Sequence, residues 1–341
     1  NLIDNSNAKI SVTGGTFINF NPAESHTENP VANFVAEGYT VVSETQAEEN
    51  IRYTVGKAAN NASALSAAIR EANDGDTVIV TQDISDTKIA LSLMTPKKIT
   101  VDLNGHTVRR ETNDSQAAQV AYAGADLTIK NGTIESSYYG ILVYNGATLT
   151  LETVNIECND VGILSQGANN NITIDGGQIK SHYFGIYQNG SNSPVTVTVK
   201  NATVTDTFGT GIYISNSAAD GREKQTLIIE NSTISGPTAV EAKHTDVIIA
   251  DSTLIATATP TGSGENGNGS CTSGYAFAFT TNSATDLATG NVVITNTEFY
   301  SKTAGQKGYC FVYRMADSYT ASINGETVTE YNNYGGDSQQ P

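Results

Sequence analysis

A short pattern of apolar and polar positions recurs along most of the chain. Each copy has apolar residues at its first, third and eighth positions and usually a small or amide residue at its fifth. The copies begin at Leu127, Leu149, Ile172, Val197, Leu227, Val247 and Val292, with a related segment at Ile10. The fifth positions are Asn131, Thr153, Gly176, Asn201, Asn231, Asp251 and Asn296. The pattern predicts a short strand, a tight corner and a second strand in each copy.

A second apolar element follows most of these copies after about 13 to 15 residues. It begins at Gly140, Gly162, Gly185, Gly211 and Ala239, and segments at Tyr275 and Tyr309 fit the same place after longer gaps. Strands this short bury their apolar faces only if each pairs with the same strand of the next copy. The sequence therefore predicts an all-β fold, a single-stranded right-handed parallel β-helix (solenoid) of about nine coils, about 40 to 45 Å long.

Residues 63–72 have a different, helical pattern. Leu65, Ala68, Ile69 and Ala72 fall on one face of an alanine-rich segment, and Asn73-Asp-Gly-Asp ends it. The end of a β-helix exposes unpaired backbone and an apolar cross-section, so an amphipathic helix laid over it is expected. We predict that residues 63–72 form an N-terminal helical cap.

Two segments resemble known β-helix proteins. The run Ala72-Asn-Asp-Gly-Asp-Thr-Val-Ile-Val, with Ile99-Thr-Val-Asp-Leu-Asn-Gly-His-Thr-Val, resembles the opening segment of the pectin-lyase-like β-helix superfamily. The run Gly14-Gly-Thr-Phe-Ile-Asn-Phe-Asn-Pro, with Asn33-Phe-Val-Ala-Glu-Gly-Tyr-Thr-Val-Val, resembles segments that close β-helix modules in bacterial surface proteins and phage fibres. This superfamily includes lyases, hydrolases, adhesins and tailspikes, so the resemblance implies a fold rather than an activity.

The resemblance also implies a domain organisation. Residues 1–56 would be the end of a preceding module, residues 57–98 the capping helix and first strands, and residues 99–341 the parallel β-helix. The protein would then be one link of a longer surface chain or fibre.

Charge and composition narrow the partners and the location. The 35 acidic and 18 basic side chains give a formal charge of −17, which argues against nucleic acid or an anionic membrane as partner. We find no run of eighteen apolar residues and no basic-then-apolar leader at the start. The resemblance to bacterial surface proteins and phage fibres implies an extracellular, cell-surface or virion-surface location. Free thiols are expected for Cys158, Cys271 and Cys310, although Cys271 and Cys310 could pair across adjacent coils.

One side of the predicted rod is rich in tyrosine. In each second strand the residue after the inward-facing one must point outward, which gives the ladder Leu142, Leu164, Tyr187, Tyr213, Glu241, Ala278 and Val312. Tyrosines with amides between them could stack on sugar rings and bond to sugar hydroxyls. The predicted ligand-binding residues are Tyr139, Tyr144, Tyr183, Tyr187, Tyr213, Glu241, Lys243 and Tyr275. The alternative is that these rings only cover exposed edges of coils.

A catalytic alternative uses three residues beside the tyrosines. Asp160, His182 and Asp206 fall near one register on three successive coils and could act as general acids and bases on an acidic polysaccharide. They could equally be turn residues that bond to local backbone. The chain has neither the paired-aspartate and Gly-His-Gly signatures of polygalacturonase-like hydrolases nor a clear match to the calcium-and-arginine site of pectate lyases.

No cofactor is expected. Calcium could bind so acidic a protein, but no Asp-rich loop or Gly-Gly-x-Gly-x-Asp repeat supports a metal site. The sequence thus favours a non-catalytic module for adhesion or carbohydrate binding, with a glycan or a host or bacterial surface component as partner. A polysaccharide lyase or glycoside hydrolase, and a phage fibre or structural spacer, remain as alternatives.

Overall fold

The computed structural model describes residues 9–26, 30–190, 193–217, 221–259, 274–283, 285–301, 310–328 and 332–334. The N-terminal part contains β1 (Gly15–Ile18), β2 (Tyr39–Thr45), a short 3₁₀ helix (Ala47–Glu49), β3 (Ile51–Ala59) and α1 (Ala62–Glu71). The first coils contain β4 (Thr77–Val80), β5 (Ile84–Asp86), β6 (Leu91–Leu93), β7 (Lys98–Asp102), β8 (Thr107–Arg110) and β9 (Ala118–Val120). The next coils contain β10 (Asp126–Ser136), β11 (Ile141–Tyr144), β12 (Thr148–Cys158), β13 (Val161–Gln166), β14 (Asn171–Ser181) and β15 (Phe184–Asn189).

The second half of the chain continues the same succession of short strands. Its first strands are β16 (Thr196–Lys200), β17 (Thr203–Asp206), β18 (Thr210–Ser215), β19 (Gln225–Glu230), β20 (Thr233–Gly236), β21 (Thr238–Lys243), β22 (Thr245–Ala250) and β23 (Thr253–Ala256). Its last strands are β24 (Phe277–Thr280), β25 (Val292–Thr295), β26 (Glu298–Ser301), β27 (Cys310–Val312), β28 (Ala321–Ile323), β29 (Glu326–Val328) and β30 (Asn332–Tyr334).

The strands stack into three faces of a parallel β-helix. The first face consists of β4, β7, the first halves of β10, β12 and β14, and β16, β19, β22, β25 and β28. The second face consists of β5, β8, the second halves of β10, β12 and β14, and β17, β20, β23 and β26. The third face consists of β6, β9, β11, β13, β15, β18, β21, β24 and β27. Within the described ranges the solenoid has about nine turns, which confirms the predicted all-β fold.

Apolar ladders fill the interior because the copies pair in register. Leu127 lies beside Leu149, and Leu149 lies beside Ile172; all three are fully buried. The outward residues Lys130, Glu152, Asp175, Lys200 and Glu230 also form one continuous ladder. The repeat alignment made from the sequence is therefore correct over these coils.

The corner between the first and second faces is formed by the fifth position of each copy. These residues have left-handed backbone, with φ from 45° to 57° for all of them except Gly176, whose φ is 77°. Asparagine tolerates this region better than most residues because its short polar side chain bonds locally. The amides also bond along the column, since Asn231 Nδ2 donates to Asn201 Oδ1 at 2.8 Å.

The corner between the second and third faces requires glycine. A Cβ on Gly162 would lie 2.4 Å from the carbonyl oxygen of Gly185, and one on Gly185 would lie 2.4 Å from that of Gly211. Successive coils therefore approach too closely here for a side chain, which explains why the second recurring element begins with glycine.

The single α-helix of the described ranges caps the N-terminal end of the rod. Helix α1 begins one residue before the predicted segment, and the side chain of Asn61 accepts a hydrogen bond from the Ala64 N–H at its start. Leu65, Ala68 and Ile69 are buried in the cluster that also contains the interior of the first coils. The predicted helical cap is confirmed.

Strand β3 connects the N-terminal strands to the solenoid. It pairs antiparallel with β1 and β2, and its last residues pair parallel with β4. The strand is thus continuous across the predicted boundary between residues 56 and 57. The assignment of residues 1–56 to a preceding module stays a prediction.

One predicted register is wrong. Val312 does not belong to the outward ladder of the third face, because it is fully buried in the core and Ala278 pairs with Phe311. The segment around Cys310 is apolar at every position, so it lacks the alternation that distinguishes inward from outward residues.

Candidate functional site

A groove of about 560 Å³ follows the corner between the second and third faces. Its walls come from five successive coils, from Arg109 at the end of β8 to Thr207 after β17. The lining residues are Arg109, Glu135, Ser136, Ser137, Glu157, Cys158, Asn159, Lys180, Ser181, His182 and Thr207. Because one coil follows another at about 4.8 Å, the groove runs along the axis of the rod for about 19 Å.

Charged residues of the second face form one side of this groove. Arg109, Glu135, Glu157 and Lys180 occupy one outward column in consecutive coils. Arg109 Nη1 lies 3.6 Å from Glu135 Oε2, and Lys180 Nζ lies 3.1 Å from Glu157 Oε1. These side chains are about one third to one half exposed, so the pairs stabilise little and offer donors and acceptors to a ligand.

Three aromatic rings lie together at the end of the groove that is nearest to β17. We call His182, Tyr183 and Phe208 the aromatic platform. Ring centroids are 5.0 Å apart for His182 and Tyr183, 5.4 Å for His182 and Phe208, and 5.0 Å for Tyr183 and Phe208. Tyr183 is 42% exposed and Phe208 is 62% exposed. Single exposed rings are common, but three in mutual contact beside a groove are typical of binding surfaces.

The turn after β17 holds the platform. Oδ1 of Asp206 accepts hydrogen bonds from the Phe208 and Gly209 N–H groups at 3.0 and 2.6 Å, and Oδ2 accepts one from the Ser181 hydroxyl at 2.7 Å. Nδ1 of His182 shares a hydrogen bond of 2.8 Å with Thr207 Oγ1. The platform is thus fixed by backbone and side-chain bonds from two adjacent coils.

A comparison with family models identifies the fold family. A model described as "Right handed beta helix region" matches residues 112–337, about two thirds of the chain. The chain belongs to the right-handed β-helix family. No curated protein and no solved structure matches the chain. The match covers the aromatic platform and the groove from Glu135 onward. Membership of this family does not determine an activity.

The β-helix places the three predicted catalytic residues on neighbouring coils. The backbone N–H of Tyr183 donates to the Asp160 carbonyl oxygen at 3.0 Å, and His182 is close enough to lower the pKa of both Asp160 and Asp206. Burial has the larger effect, however, and raises the pKa of both carboxyls above the ordinary value. Asp206 is 2% exposed and fully engaged in its turn, whereas Asp160 is half-buried.

Four of the eight predicted ligand-binding residues lie at least partly at the surface. Tyr183 belongs to the aromatic platform, and Tyr144 is 44% exposed at the opposite edge of the third face. Tyr139 and Tyr187 are half-buried. Tyr139 stacks on Tyr138 at 3.8 Å, and burial raises the pKa of its hydroxyl.

The other four predicted ligand-binding residues are buried, so the expected exposure is wrong for them. Tyr213 and Glu241 are fully buried, Lys243 is nearly so, and Tyr275 belongs to a small apolar cluster separate from the main core. Their place in one ladder was predicted correctly, because Tyr213 pairs with Tyr187, and the two rings lie 5.3 Å apart and nearly parallel.

The buried residues satisfy one another on the outer side of the third face. Lys243 Nζ lies 3.6 Å from Glu241 Oε1 and 5.2 Å from the ring centroid of Tyr213, and the Thr280 hydroxyl donates to Glu241 at 2.7 Å. An outward direction in a solenoid therefore does not ensure exposure, since other parts of the chain can pack against the outer surface.

The outward column of charged residues is absent from the predicted site, although the repeat pattern of the sequence contains it. Glu135, Glu157 and Lys180 occupy the ninth position of three successive copies, directly after the buried eighth residue. A residue at this position must point outward at the corner. Phe208 is not among the predicted ligand-binding residues, because only its packing on Tyr183 and His182 marks it as part of a cluster.

The described ranges contain no group of three or more His, Cys, Asp or Glu side chains that could hold a metal ion. No helix in those ranges is long and apolar enough to span a membrane. Cys158 and Cys310 are free thiols, and burial raises the pKa of the Cys158 thiol to about 12. Cys271 and Tyr309 lie outside the residues that the structure describes.

Proposed function

We propose that this β-helix is an extracellular surface module that binds carbohydrate without catalysis, at the corner between its second and third faces. The observation that carries the proposal is the exposed aromatic platform at one end of the polar groove. Aromatic rings can stack on the apolar faces of sugar rings, and Tyr183 also carries a hydroxyl for hydrogen bonding. The partner would be a glycan of a host or bacterial surface.

The charges favour a neutral glycan as ligand. The cations Arg109 and Lys180 are each paired with a glutamate, and the chain as a whole carries a formal charge of −17. Such a surface repels polyanions at a distance. Paired carboxylates, cations and serine hydroxyls can nevertheless donate to and accept from uncharged sugar hydroxyls.

Retention on an array of neutral host and plant glycans tests the proposal. Phe208→Ala and Tyr183→Ala should each reduce retention about ten-fold, because each removes one ring from the platform. Tyr300→Ala is the matched control. Tyr300 is 37% exposed and lies in the same outward column as Lys180, four coils away, or about 19 Å.

The control should retain glycans as the wild type does. Absence of retention by the wild-type protein, or equal losses in Tyr300→Ala and the two platform variants, would contradict the proposal. A stable trimer that retains no glycan would point instead to a fibre or structural spacer.

Cleavage of a polysaccharide is the second candidate function. The observation that favours it is the half-buried Asp160 on the coil next to His182, where burial raises the pKa of its carboxyl in the direction that suits a general acid. Incubation with acidic polysaccharides tests it. Release of new reducing ends or unsaturated uronates, abolished by Asp160→Asn, would show that the protein cleaves polysaccharide and does not only bind it.

A further inference from the structure

The turn between the second and third faces is longer in the coil that carries Phe208 than in the three preceding coils. Four residues separate Ser136 from Ile141, Cys158 from Ile163 and Ser181 from Ile186, but five separate Asp206 from Ile212. The next coil returns to a shorter turn of three residues between Gly236 and Val240. Among these five turns, the longest therefore carries Phe208, which is 62% exposed.

The stacking of one coil on the next does not by itself require a carboxylate at the start of this turn. The equivalent position is Ser136, Cys158 and Ser181 in the three preceding coils and Gly236 in the following one. A buried carboxylate costs desolvation energy that these small neutral residues avoid, and burial raises the pKa of Asp206 accordingly. The desolvation cost of an acid at this position points to a role that a small neutral residue does not fill.

All three residues of the aromatic platform interact with this one turn. Asp206 accepts from the N–H of Phe208 itself and from that of Gly209. Gly209 packs directly on the backbone of Tyr183, because a Cβ on Gly209 would lie 1.9 Å from the Tyr183 carbonyl oxygen. Thr207, the first residue of the turn, shares its hydroxyl with Nδ1 of His182.

We infer that Asp206 is a positioning residue for the carbohydrate site. It folds the lengthened turn so that Phe208 reaches the surface beside Tyr183 and His182, while its own carboxylate stays buried and touches no ligand. This inference rests on the proposed function, and it replaces the acid or base role considered for Asp206 from the sequence. The hydrogen bond to Ser181 fastens the turn to the preceding coil.

Substitutions at Asp206 test the inference on the same neutral-glycan array. Asp206→Ala should lower retention about ten-fold, because the two N–H groups of the turn lose their acceptor. Asp206→Asn should stay within about two-fold of wild type, since its amide oxygen can accept both bonds. Gly209→Ala provides a second route: its Cβ must displace the turn from Tyr183 and should reduce retention similarly, even if Asp206→Ala does not fold.

Val204→Ala is the control that distinguishes an effect on the position of the turn from a general loss of stability. Val204 is fully buried in the same strand, so this variant should lower the melting temperature without changing retention. Wild-type retention by Asp206→Ala, or an equal loss in Val204→Ala, would overturn the inference. If Phe208→Ala itself left retention unchanged, the proposed binding site would fail instead, so the two failures are distinguishable.

Discussion

At the residue scale, the left-handed corner explains much of the repeat composition. A residue with positive φ at the fifth position of each copy favours asparagine or glycine, and five of the seven copies have one of them. Thr153 departs from this pattern, since its φ is 54° although its side chain is β-branched. Such a residue is strained in this conformation.

Replacing Thr153 with asparagine should therefore stabilise the protein. We expect Thr153→Asn to raise the free energy of unfolding by about 1 kcal/mol, measured by urea denaturation. The reverse change, Asn231→Thr, is the control and should lower it, because it adds strain and removes the hydrogen bond to Asn201. A less stable Thr153→Asn variant would show that the corner does not select residues by backbone conformation.

The Asp206 carboxyl links stability to pH. Its pKa in the folded protein is raised by burial above the ordinary 3.8, so the folded state binds the proton more tightly than the unfolded chain does. Relative to Asp206→Asn, which does not titrate, the wild type should gain stability as the pH falls from neutral through the raised pKa. The gain should be complete below 3.8. Denaturation of both proteins across this range checks the sign, and a pH-independent difference would contradict it.

Individual residues could be predicted from the sequence where the backbone geometry restricts which residue types fit. The corner positions from Asn131 to Asn296 could be predicted because the repeat itself restricts them. The burial of Tyr213 and Lys243 could not, because it depends on what packs outside the third face rather than on strand alternation. Asp206 was recognised as an acid near His182, but its turn-forming role depends on hydrogen bonds that spacing does not reveal.

At the element scale, the glycine column controls how closely the coils approach. Gly140 immediately precedes β11, and Gly162, Gly185 and Gly211 are the second residues of β13, β15 and β18. The sequence predicted the strands themselves from these glycines. The structure shows why these positions need glycine: a Cβ on each of them would contact the next coil.

Gly185→Ala should therefore be strongly destabilising. The added Cβ would lie 2.2 Å from Val204 Cγ1 and 2.4 Å from the Gly211 carbonyl oxygen, so the coils must separate. We expect a loss of about 1 to 3 kcal/mol in the free energy of unfolding. Gly14→Ala is the matched control, because nothing lies within 4 Å of its Cβ position. Equal stability of the two variants would contradict the close approach of the coils.

At the scale of the whole molecule, the register turns distant residues into neighbours. Arg109 and Thr207 are nearly one hundred positions apart, yet both line one groove. The formal charge of −17 would repel polyanions and is the reason why we propose an uncharged ligand at the paired charges of the groove.

Salt dependence tests the uncharged character of the ligand. If binding uses stacking and hydrogen bonds to a neutral glycan, affinity should change less than about two-fold between about 0.05 and 0.5 M salt. A binding titration at several salt concentrations measures this. A steep fall in affinity with salt would show that Arg109 or Lys180 recognises an anionic sugar instead.

Amide hydrogen exchange with and without a glycan retained on the array tests the binding site most directly. The platform and its turn should exchange more slowly with glycan present, so protection is expected in residues 181–185 and 206–210. The distant strands β23 and β26 on the same second face should be unchanged. Protection confined to those strands, or to the N-terminal strand β2, would contradict binding at the aromatic platform.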